Sequence, residues 1–184
     1  MGAEASNRMS CMQRQASIAM YKEIKWGHNG NRLVLPSNNH GRLLSFQQQD
    51  ANASESGGLL MGRRIIESLD CIVDEITSPM IGDVQKRTFF FRGKGHLTKQ
   101  LEYWTATETT GQLLGVWHTH PGPDPTPSGT DRKDWEMVLK KCGKREKPLF
   151  FVIIGLEYIR VWIGFKRKLR SSQIFPCDFL GECQ

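Results

Sequence analysis

Val116-Trp117-His118-Thr119-His120-Pro121-Gly122-Pro123-Asp124-Pro125-Thr126-Pro127-Ser128-Gly129-Thr130-Asp131 sets the expectation for the whole chain. The first residues are strand-like, and side chains alternate along a strand, so His118 and His120 share one face while Thr119 takes the other. Both imidazoles can then reach one metal ion. Four prolines and a glycine between Pro121 and Pro127 make a stiff, irregular connection to a helix start, which returns Asp131 toward the histidines. Two His and a carboxylate supply three ligands and leave a fourth position for water, the pattern of catalytic rather than structural zinc. Zinc brings the pKa of such a water to about 7, and a nearby carboxylate is then needed as general base.

Each part has an ordinary explanation. Ser128-x-x-Asp131 before a helix is a serviceable capping box, and an isolated His-x-His is more often a surface feature than a ligand pair. Together, H-x-H-P-x6-S-x-x-D should arise by chance in on the order of one window in 10^7.

The pattern resembles that of the JAMM zinc metalloproteases (also JAB or MPN-plus), which remove ubiquitin and ubiquitin-like proteins. His118, His120, Pro121, Ser128 and Asp131 match it without a gap. The resemblance implies a single α/β domain of MPN/JAB type with zinc (Zn2+) on His118, His120 and Asp131. The family's upstream glutamate precedes a Gly- and Leu-rich strand, and Glu55-Ser56-Gly57-Gly58-Leu59-Leu60-Met61-Gly62-Arg63 is similar to that element. Glu55 is thereby implied as general base, although alone it reads as an exposed residue of a Ser/Asn-rich loop. Ser128 is implied as the donor to the developing oxyanion.

Ile76 to Asp83 and Thr88 to Arg92 resemble the small bacterial members found beside activating and conjugating enzymes in anti-phage (CBASS) operons. That branch implies a cytoplasmic isopeptidase acting on a protein conjugated through its C-terminus, either a ubiquitin-like protein or a cGAS-like nucleotidyltransferase. The Asp124 to Ser128 run is also similar to the RadC branch, and a catalytically silent MPN scaffold is the reading from a different class. A conjugated tail needs an extended groove, for which 79–96 and the stretch after Arg170 are the candidates.

Working outward, Leu33 to Pro36 reads as a strand, with Ser37 capping a modest helix through Gln47. Gly58 to Ile66 and Cys71 to Ile76 read as paired strands, and Thr88 to Phe91 as a third. Leu97, Leu101, Trp104 and Glu108 fall at helical spacing between Gly95 and Gly111, which predicts an amphipathic helix lying across the sheet. Leu113 to His118 is strand-like, Asp131 to Cys142 is helical with Trp135, Val138, Leu139 and Cys142 on one stripe, and Leu149 to Ile154 with Tyr158 to Phe165 reads as a hairpin. The expected sheet is mixed and mostly antiparallel, flanked by helices. Residues 1–30 read as a loose leader and 31–184 as the domain.

The composition is ordinary for a globular domain, with 39% hydrophobic and 24% charged residues and a net charge of +6. The five cysteines are odd in number and widely spaced, which fits a reducing compartment. Cys177 and Cys183 read as ordinary thiols, and His28, His40 and His96 as surface or capping residues. The basic runs 140–147 and 166–170 read as solvated ends rather than a nucleic-acid surface. The longest apolar run, Leu149 to Ile154, is far short of the roughly 20 residues that span a bilayer.

Overall fold

The computed structural model describes residues 23–143, 147–167 and 172–183. Strands β1 (Glu23–His28) and β2 (Asn31–Pro36) turn over Asn29 and Gly30, both at positive φ, and lead into helix α1 (Ser37–Leu44). Strands β3 (Gly57–Arg64), β4 (Asp70–Ile76), β5 (Val84–Lys86) and β6 (Phe89–Phe91) precede helix α2 (Gly95–Ala106). Strand β7 (Gln112–Thr119), helix α3 (Gly129–Cys142) and strands β8 (Leu149–Ile154), β9 (Ile159–Phe165), β10 (Gln173–Pro176) and β11 (Asp178–Cys183) complete the order. Among the described residues no helix is long and apolar enough to cross a membrane.

The main sheet runs β10-β9-β8-β7-β3-β4-β2-β1-β11. Among the described residues only β2/β4 and β7/β8 pair in parallel, so the mixed, mostly antiparallel sheet matches the expected class. Its two edge strands, β10 and β11, are separated by Cys177 alone. One residue cannot bridge the width of a nine-stranded sheet, so the sheet curls until its edges meet. His28 of β1 stacks on Phe175 of β10 at 4.9 Å across that seam, and the Cys177 N–H donates to Val161 O at 2.8 Å, extending the β10–β9 pairing by one residue.

The curl divides the core in two. Its concave side packs Leu33, Leu35, Leu60, Trp117 and Phe150 with Leu43 of α1. The outer side packs Met61, Val116 and Phe151 against Trp135 and Leu139 of α3. Trp135 stacks on Phe151 with centroids 4.7 Å apart and tilts against Trp162 at 5.3 Å. The buried Trp135 indole is a large apolar surface, and its packing on Phe151 and the half-buried Trp162 fixes α3, with Asp131 in its first turn, on the sheet.

Several expectations need correction. Strand β1 lies within the stretch read as a leader, and its Ile24 and Trp26 are buried in the core. Residues 1–22 of that stretch, with Cys11, lie outside the described residues. Ser37 is the first residue of α1 rather than its cap, and no side chain caps that helix. Strand β6 does not join the main sheet but pairs with β5 in a separate hairpin. Helix α2 forms, yet its Leu97, Leu101 and Trp104 stripe is exposed, at 68%, 58% and 45%; His96 is its buried residue and Tyr103 its contact with the outer core.

His40 and His96 are interior, not surface, groups. Burial pushes the His40 imidazole down to about 4, so it stays neutral. His28 is half-buried on its phenylalanine. Of the basic runs, 144–146 and 168–170 lie outside the described residues; Lys140 and Lys141 occupy the last turn of α3, where cations face the helix's carbonyl end.

Candidate active site

The antiparallel register of β3 on β7 sets Gly57 against His118. One step beyond, the Thr119 N–H donates to Ser56 O and the Ser56 N–H to Thr119 Oγ1, both at 2.9 Å. Glu55 and His120 are the next residues of the two segments, and their backbone N–H groups turn elsewhere, to Lys86 O at 2.8 Å and Ile154 O at 2.9 Å. Thr119 therefore does face away from the histidines, and it uses that direction to clamp the glutamate's segment to the histidine strand.

Gly57 and Gly58 permit close approach. A Cβ on Gly57 would lie 2.4 Å from Phe90 of the β5–β6 hairpin, and one on Gly58 2.1 Å from Thr77 O just after β4, so a larger residue would displace the hairpin at the first position and the end of β4 at the second. The hairpin returns the contact, because Lys86 O accepts from the Glu55 N–H at 2.8 Å. Its base is pinned at the start of α2. There the Thr77 hydroxyl oxygen, which accepts from the Leu59 N–H at 2.7 Å, is hydrogen-bonded to His96 Nδ1 at 2.7 Å, and His96 Nε2–H donates to Asp83 at 3.0 Å. Asp83 also accepts from the Gly93 and Met80 N–H groups. Burial alone would raise its carboxyl, but these bonds outweigh it and hold Asp83 below its ordinary value.

The proline-rich connection is tied to the β8–β9 turn through Gly122 O and Pro123 O, and Gln47 Nε2 holds the other side of that turn at Gly155 O. Its far end is a complete capping box. Ser128 Oγ accepts from the Asp131 N–H at 3.2 Å, and the Ser128 N–H donates to Asp131 Oδ2 at 2.6 Å. The ordinary reading and the chemical one coexist, since the cap is what aims the carboxylate. Its oxygens lie 3.2 Å from His118 Nε2 and 3.4 Å from His120 Nε2, and the two Nε2 atoms are 3.0 Å apart.

These separations test the fit of a metal ion. Tetrahedral coordination at about 2.0–2.1 Å places neighbouring ligand atoms about 3.3 Å apart, and the Nε2–Nε2 distance of 3.0 Å and the contacts of the two Nε2 atoms with different Asp131 oxygens, Oδ1 at 3.2 Å and Oδ2 at 3.4 Å, lie close to that. Among the described residues this is the group of three ligand-type side chains that converges in this way. Burial lowers the His118 pKa, with Asp131 opposing, and so favours the neutral imidazole a metal requires. Burial would raise the Asp131 carboxyl, yet the histidine bonds outweigh it and keep Asp131 far below the usual carboxylate range.

Glu55, His118, His120, Ser128 and Asp131 line one cleft of about 430 Å³. Its other wall is Thr88, Phe89, Phe90 and Arg92, from the first of the two stretches expected to hold a tail; among the described residues nothing after Arg170 lines it. Burial raises the Glu55 carboxyl to about 7, His120 drawing it down and Asp131 adding to the rise. A carboxyl near neutrality in a cleft is poised for proton transfer at ordinary pH. Arg92, which sequence reasoning passed over, ion-pairs with Asp134, three residues past Asp131 on α3, and ties the hairpin's end to the helix of the carboxylate. No short motif marks that pair; only its place in the fold does.

Residues 37–164 match the family model described as prokaryotic homologs of the JAB domain. The chain belongs to the prokaryotic JAB-domain family. Relatives named "CD-NTase/cGAS isopeptidase" include one from Pseudomonas aeruginosa, 36% identical over 71% of this chain and 82% of its own length. Others are from Escherichia coli, 34% identical over 75% and 84%, and from Vibrio cholerae, 33% identical over 69% and 77%. Among solved structures, protein DSY2949 from Desulfitobacterium hafniense superimposes with a TM-score of 0.52 over 77% of this chain and 88% of that one, at 20% identity, a likeness of fold alone.

Proposed function

We propose that this JAB domain is a zinc-dependent isopeptidase that cleaves the amide bond joining the C-terminal residue of one protein to an amine of another. The conjugated protein we assign is a cGAS-like nucleotidyltransferase (CD-NTase), the class in the relatives' names, and the setting bacterial anti-phage defence. One observation carries the reading: His118, His120 and Asp131 converge at metal-ligand spacing in the cleft that holds Glu55.

His118 Nε2, His120 Nε2 and one Asp131 oxygen would hold the ion. Zinc bound there supplies Lewis acidity for the scissile carbonyl and an acidified water. Glu55 takes a proton from the attacking water and returns it to the leaving amine as the C–N bond breaks. The Ser128 hydroxyl accepts from the Asp131 N–H through its oxygen and retains its own hydrogen to donate to the carbonyl oxygen as charge develops. The β5–β6 hairpin is a sheet of two strands, so it keeps edges to which an extended tail can add, whereas the main sheet's edge strands meet at the Cys177 seam.

The test joins metal content with turnover. The wild type should carry about one zinc per chain and cleave a CD-NTase fused through its C-terminus to green fluorescent protein. His120→Ala should lose the zinc, while Glu55→Gln should keep it and lose cleavage. Turnover by a metal-free chain, or unchanged turnover by Glu55→Gln, would overturn the reading.

A further inference from the structure

The exposed stripe on α2 is one wall of a second concavity, about 570 Å³, at the end of β7 away from the cleft. Leu113 and Leu149 line it with Leu97, Leu101 and Trp104. Its charges are of one sign: Arg64, Lys141 and Lys147 line it, and among the described lining residues there is no carboxylate. Arg64 is the most telling of these. Its guanidinium donates to two neutral acceptors, Cys71 Sγ at 3.1 Å and Pro148 O at 2.6 Å, and its buried Nε has no partner. Burial without a counter-charge lowers the Arg64 pKa, a cost that an anion would offset. Lys147 likewise meets a neutral acceptor, Gln112 Oε1 at 3.1 Å.

Three large apolar side chains left in water on one helical stripe, beside cations that have no carboxylate partner among the described residues, form a surface with a complement of definite chemistry. We infer that this groove is a docking site for an acidic protein segment with apolar anchors, and that it belongs to the folded body of the same protein whose tail enters the cleft. Apolar anchors of that segment would cover Leu97, Leu101 and Trp104, and its carboxylates would face Arg64, Lys141 and Lys147.

Continuity with the cleft favours this occupant. Helix α2 starts at the cleft wall, where the His96 ring meets Phe90 edge-on, and carries its exposed stripe from Leu97 directly into the groove. Along β7, Leu113 in the groove and His118 in the cleft are five residues apart, roughly 17 Å at 3.3 Å per residue. A folded domain whose tail reaches the cleft can span that distance. The inference rests on the isopeptidase reading of the cleft and extends it from the tail to the body of the substrate.

The test compares a whole CD-NTase fused through its C-terminus to green fluorescent protein with a fusion carrying only its last ten residues. Leu101→Glu with Trp104→Glu should raise KM for the whole-protein fusion about tenfold, with kcat kept and the tail-only fusion unaffected. Lys141→Glu with Lys147→Glu should raise the same KM several-fold, an effect that 0.5 M salt removes. Unchanged KM in both variants, as expected if a further segment of this chain or a second copy already covers the groove, would overturn the docking role. Equal losses on both fusions would also overturn it. Cleavage of neither fusion by the wild type would overturn the reading of the cleft, and the docking role with it.

Discussion

Helices α2 and α3 pack on the same outer core, yet they treat their apolar stripes in opposite ways. Helix α3 turns Trp135 and Leu139 inward, where both are buried, and is capped by Ser128 and Asp131. Helix α2 has no side-chain cap, touches the core through Tyr103, and leaves Leu97, Leu101 and Trp104 in solvent. Periodicity specifies that a helix has an apolar face; it does not say whether that face meets this chain or another. The helix that must hold a carboxylate within hydrogen-bond distance of two histidines is the one anchored by the core.

The contrast should appear first in activity. Glu55→Gln, at the cleft that α3 helps to build, should lower kcat by about 10^2 to 10^4, as loss of a general base does, while zinc content measured on the same sample stays near one per chain. The two tryptophans follow. Trp135→Ala should cost about 3–5 kcal/mol in urea unfolding, and Trp104→Ala about 0.5 kcal/mol or less, since the first opens a cavity and the second removes surface. Equal costs would mean that α2 is held by its stripe after all. Ser128→Ala, which removes half of the cap, should cost about 0.5–2 kcal/mol and lower zinc affinity, because Asp131 loses the bond that aims it.

Two pH responses sharpen the same comparison. As the proposed base, Glu55 has to be ionised to take a proton, so kcat/KM should fall as the pH drops below about 7, and a bound cation should move that limb lower. At the start of α2, the Asp83 value is depressed by folding. Its stabilisation is therefore complete above the unfolded value of about 3.9 and is lost as the pH falls through the lower folded value. Urea midpoints measured from pH 6 down to pH 2 should show this loss, and Asp83→Asn should flatten it.

The convergence of His118, His120 and Asp131 was legible in residue type and spacing, through alternation on β7, a stiff proline loop and a cap motif at the start of α3, whereas Glu55 was legible only through the family resemblance, its own surroundings reading as an exposed loop. The elements around them were less so. The β5–β6 hairpin has three-residue strands, too short for a period, and its place beside Glu55 depends on Gly57 lacking a Cβ where Phe90 comes close. His96 carries no neighbouring signal, because its partners Thr77 and Asp83 lie 19 and 13 residues away and meet it only once the chain has folded.

By itself the sequence determined the strand-loop-helix unit that carries His118, His120 and Asp131, since local backbone preferences and side-chain alternation suffice for it. Only the tertiary structure decided that the sheet curls until β10 and β11 share one seam, that His40 and His96 are interior, and that the α2 stripe stays outside. Those outcomes depend on which surfaces compete for burial across the whole chain, and such competition is settled by contacts between residues far apart in sequence.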